Sequence, residues 1–99
     1  MYILTKEDKD ILVNYRAFLQ SEVAASQNEQ VKMILSKSVE LLSGEITTET
    51  LENYLAVQVK NGPNKLMELS EEAKSKVNEI RVAAANYGVM DVVKRYKQG

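Results

Sequence analysis

Residues 5–25 read TKEDKDILVNYRAFLQSEVAA, and the spacing of the apolar residues in this stretch decides the fold class. Leu12, Tyr15, Leu19 and Val23 recur at intervals of three and four, and Ile11 and Phe18 widen the same stripe. That is the period of an α-helix with one buried face. Thr5 stands where an N-cap is needed, because its side-chain oxygen can accept from an otherwise unpaired backbone N–H. Glu7, Asp8 and Asp10 set negative charge against the positive end of the helix dipole. A helix from Lys6 to Ala25 spans about 30 Å.

The same period recurs three more times. Ser26-Gln27-Asn28-Glu29 has the form of a capping box, and Val31, Ile34, Leu35, Val39, Leu41 and Leu42 follow it as a second stripe, closed at Gly44. A third helix opens at Thr47 or Thr48, carries Leu51, Tyr54, Leu55 and Val59, and is expected to stop at Asn61-Gly62-Pro63. Leu66, Met67 and Leu69 then form a short apolar connection. Ser70 caps a fourth helix with Ala73, Val77, Ile80, Ala84 and Tyr87 on its buried face, and Gly88 ends it. Met90, Val92 and Val93 make one further turn before a basic tail, Lys94-Arg95-Tyr96-Lys97.

No segment alternates with period two. Four amphipathic helices joined by short connections predict an all-α fold, an antiparallel left-handed four-helix bundle with a short C-terminal extension. With 99 residues the chain reads as a single domain, 1–99. The expected core is Leu12, Tyr15, Leu19, Leu35, Leu42, Leu55, Val77 and Ile80, and it is expected to be complete by Tyr87.

Composition narrows the chemistry. Histidine and cysteine are both absent, which removes disulfides, thiolate zinc sites, Cys and His nucleophile systems and the usual general base near neutral pH. The paired carboxylates, Glu71-Glu72 and Glu7-Asp8, lie at helix starts, where dipole complementarity accounts for them. Neither catalysis nor a cofactor is expected. No basic start followed by an apolar run is visible, so the expected location is cytoplasmic.

Charge is unevenly distributed. Residues 1–59 hold five Lys/Arg against nine Asp/Glu, a net −4, and residues 60–99 hold eight against five, a net +3. The basic end can be a solvated tail or a docking surface for an anionic partner. Lys65, Lys94, Arg95, Tyr96 and Lys97 are the candidate partner-binding residues, chosen on charge and exposure alone. Binding to nucleic acid is not expected, because the fourth helix mixes its cations with acids.

The chain resembles the immunity proteins of pediocin-like (class IIa) bacteriocins. The likeness is strongest in Leu51-Glu52-Asn53-Tyr54-Leu55 and in Leu69-Ser70-Glu71-Glu72-Ala73-Lys74-Ser75-Lys76-Val77-Asn78-Glu79-Ile80, where the last long helix opens after a Leu-Ser step. The apolar pattern from Val31 to Leu42 fits as well. The resemblance implies a protein that stays inside the producer cell and protects it at the membrane receptor, the mannose phosphotransferase permease with toxin bound. It implies reversible association with the inner face of the membrane, and specificity seated in residues 61–69, the fourth helix and residues 88–99. The alternative is a small phage or bacterial regulator that binds a protein or a nucleic acid through the same basic end.

Overall fold

The first four helices each begin where a short polar side chain closes the first turn. The computed structural model describes residues 2–67 and 69–99, with the stretch 58–67 described by its backbone alone. Helix α1 runs Lys6–Ala25. The Thr5 hydroxyl accepts from the Asp8 backbone N–H at 3.1 Å, and the Asp8 carboxylate accepts from the Thr5 N–H at 3.1 Å. This reciprocal box satisfies two orphan donors at once.

Helix α2 runs Glu29–Leu41, and its cap is Asn28 rather than the expected Ser26. The Asn28 side chain accepts from Val31 N–H at 3.1 Å, while the Ser26 hydroxyl is occupied by the Asn28 backbone at 3.2 Å. The helix also stops before Gly44, which takes φ +75° in the following loop. No basic residue lies in the last turn of α2. Arg16 of α1 supplies the charge instead, donating to the carbonyls of Leu42 at 2.9 Å and Gly44 at 3.1 Å.

Helix α3 runs Thr48–Met67, opened by Thr47 and Thr50, whose hydroxyls each accept the other's backbone N–H. The stop expected at Asn61-Gly62-Pro63 does not occur. A proline removes one backbone donor and crowds the preceding turn, which weakens a helix without forbidding its continuation. Leu66 and Met67 accordingly belong to α3 and not to a connection. Helix α4 runs Glu71–Tyr87, with Ser70 accepting from Ala73 N–H at 3.2 Å. Gly88 ends it at φ +91°, a left-handed conformation that costs a residue with a Cβ.

The C-terminal stretch is a fifth helix, α5, Val89–Gln98, where one turn and a tail were expected. Val89, Val92, Val93 and Tyr96 follow the same helical period as the other stripes, and the first three are buried in the common core. The fold is therefore an all-α globule of five helices, 38 × 26 × 21 Å, with no strand among the described residues. Leu12, Leu19, Val31, Leu42, Leu51 and Val92 are wholly buried at its centre. Leu55 is only half-buried and packs against this cluster, and Val77 is half-buried too. The core is not complete at Tyr87, because α5 closes it.

Candidate functional site

The C-terminal region combines one structural face and one free face. The valines of α5 point inward, and Met90, Lys94 and Lys97 lie exposed on the outside. Arg95 sits between the two. Its Nε donates to the Asp8 carboxylate at 3.0 Å, and its terminal nitrogen reaches the same oxygen. Asp8 is fully buried, and its other oxygen accepts from the Tyr2 hydroxyl at 2.5 Å. A carboxylate taken out of water is costly unless its lone pairs are filled. Here donors from Tyr2, Thr5 and Arg95 fill them, tying the N-terminal segment, α1 and α5 together. Burial pushes the Asp8 carboxyl up, but the hydrogen bonds from Tyr2 and Arg95 outweigh it and hold the group below its ordinary value. The same contact with Asp8 raises Tyr2 and Arg95 above theirs.

Of the five candidate partner-binding residues, Lys94 and Lys97 are exposed as expected. Arg95 is committed to Asp8, with 41% of its side chain exposed. Tyr96 is half-buried against the core rather than loose, and burial together with the neighbouring Glu52 carboxylate raises its hydroxyl. The side chain of Lys65 lies outside the described residues. The basic end is thus a helix fixed by its inner face, not a solvated tail. The sequence does not single out Asp8, because a carboxylate in the first turn has a sufficient explanation in the helix dipole. The Thr5-x-x-Asp8 spacing was the available local signal.

A second surface lies between α1 and α4. Lys76 meets Glu22 at 3.1 Å and Glu79 at 3.4 Å. Further along, the rings of Phe18 and Tyr87 pack with centroids 5.2 Å apart, backed by buried Tyr15 at 6.3 Å from each. Beside the Lys76 contact, between α4 and the α1–α2 loop with the start of α2, an open cleft of about 350 Å³ is lined by Ser26, Asn28, Glu72, Ser75, Lys76 and Glu79, among others.

Among the described residues no group of three or more acidic side chains converges as a metal site, and no helix is long and apolar enough to cross a membrane. No family model matches the chain, and neither a curated protein nor a solved structure matches it.

Proposed function

We propose that the chain is an intracellular immunity protein of the pediocin-like bacteriocin type, acting without catalysis on the toxin-bound membrane receptor. The observation that carries this reading is the outer face of α5, where Lys94, Lys97 and Met90 are exposed while the inner face is held in the core. A helix fixed in this way presents its cations in a set geometry at low entropic cost. The finer fold belongs to the same proposal: the four long helices form an antiparallel, left-handed bundle, and α5 is laid across it. Each cation near an anionic cytoplasmic leaflet gains about 1 kcal/mol. Two of them give weak, reversible recruitment, so contact with the receptor permease supplies the specificity.

The test is expression in a toxin-sensitive strain of the intact protein and of Lys94→Glu/Lys97→Glu. The intact protein should protect, and the double variant should not, while its thermal unfolding stays within a few degrees of the parent. Equal protection by both proteins would remove α5 from the function. If neither protects against any class IIa toxin, the regulator reading gains, and salt-dependent binding to duplex DNA becomes the measurement to make.

A further inference from the structure

We infer that one side of α4, from the Phe18–Tyr87 ring pair, where it meets α1, to the cleft bearing Glu72 and Glu79, where it faces the α1–α2 loop and the start of α2, is a docking surface for a cationic amphipathic helix. The inference does not rest on the immunity reading and uses none of the α5 cations.

The ring pair supplies the anchor. Tyr87 is 39% exposed and Phe18 half-buried, and both are held from behind by Tyr15. A rigid aromatic contact surface of this kind presents area without much entropy to lose. The stretches of α1 and of the α4–α5 turn that carry the two rings hold little charge. Between Asp10 and Glu22 the only charged residue of α1 is Arg16, and it is turned away to cap α2. From Val82 to Met90 there is no charge at all. An apolar centre without charges is the composition of a protein interface core.

The other half of the face is acidic. Glu72 and Glu79 line the cleft and Glu22 lies beside it, and among the described residues Lys76 pairs with Glu22 and Glu79, leaving three carboxylates to one cation there. From Glu72 to Tyr87 the rise along α4 is about 22 Å, the length of a four-turn helix. A partner helix with an apolar stripe over the rings and Lys or Arg over the carboxylates matches both halves. A second copy of this chain matches less well, since pairing the face with itself brings the same carboxylates into opposition. Nucleic acid and anionic lipid are disfavoured by the same carboxylates.

The probe is a fluorescein-labelled amphipathic peptide of about 18 residues built from Leu and Lys alone, with a Leu/Glu peptide of the same pattern as control. Anisotropy titration with the full chain should give saturable 1:1 binding of the Leu/Lys peptide and none of the Leu/Glu peptide. Tyr87→Ala should weaken binding about tenfold or more, as expected of a central aromatic anchor. Glu72→Lys/Glu79→Lys, at exposed positions that leave the core untouched, should weaken it about as much and flatten its salt dependence. Glu45→Lys/Glu49→Lys, which alters acids on neither helix, should leave it unchanged. Equal binding of the two peptides would overturn the inference. So would equal losses in the two charge-reversed variants, or a dimer in sedimentation that Tyr87→Ala dissolves, which would assign the face to a second copy.

Discussion

Val92→Ala tests whether α5 belongs to the core. Val92 is wholly buried and Val82, on the outer side of α4, is 58% exposed. Removing two buried methyl groups forfeits about 1.6 kcal/mol of transfer energy, and the space left behind adds about 1 kcal/mol if the neighbours do not collapse into it. Valine to alanine also gains a few tenths of a kcal/mol in helix propensity, but Val82→Ala gains the same amount. The difference between the two variants therefore isolates burial, at about 2–3 kcal/mol. With a urea slope of about 1 kcal/mol/M, the unfolding midpoints followed by far-UV circular dichroism should stand about 2–3 M apart. Coincident midpoints would show that α5 rests on the surface and does not close the core. The same reasoning explains why a chain cut after Gly88 is a poor probe of function: it loses Val89, Val92 and Val93 from the core and leaves Asp8 without Arg95.

Asp8 carries a pH signature. Its carboxyl is held below the ordinary value of 3.8 in the folded protein, so its contribution is fully present above about pH 4 and is lost as pH falls through the folded value. Asp8→Asn should accordingly be less stable than the parent at pH 7, and the gap in urea midpoint should close on acidification below about pH 4; a gap constant from pH 7 to pH 3 would refute the ion-pair account. Gly88→Ala should cost about 1–2 kcal/mol from the left-handed backbone alone, because a Cβ there would meet Ile11 only at 3.4 Å; a loss below about 0.5 kcal/mol would mean that the α4–α5 turn readjusts.

What could be read from the sequence was what is encoded locally. The Thr5 and Ser70 caps and the Gly88 turn each involve residues within a few positions of one another, and all three stand where the sequence puts them. The α2 cap is not fixed by its local sequence, because Ser26 and Asn28 both suit the role and only the geometry of the α1–α2 loop chooses between them. Pro63 does not stop α3, since a single missing donor is a local penalty that the rest of a helix can absorb. The contact least visible in the sequence is non-local. Lys94-Arg95-Tyr96-Lys97 looks like a solvated basic run until Arg95 is seen to meet Asp8, 87 positions away. No spacing rule reaches that far. The Phe18–Tyr87 pair was hidden for the same reason, each ring having been assigned to its own helix stripe.

The Asp8–Arg95 contact also sets a clock. The partner that neutralises Asp8 is made 87 residues after it. At roughly 5–20 residues per second, that interval is about 4–17 s. Over this time the nascent chain holds a carboxylate that has no reason to leave water, and a set of helices whose closing layer does not yet exist. The first four helices can form and meet transiently, but the native burial of Asp8 has to wait for α5. Native packing is thereby deferred until α5 has been made, and until then the apolar stripes of the first four helices are open to chaperones and proteases.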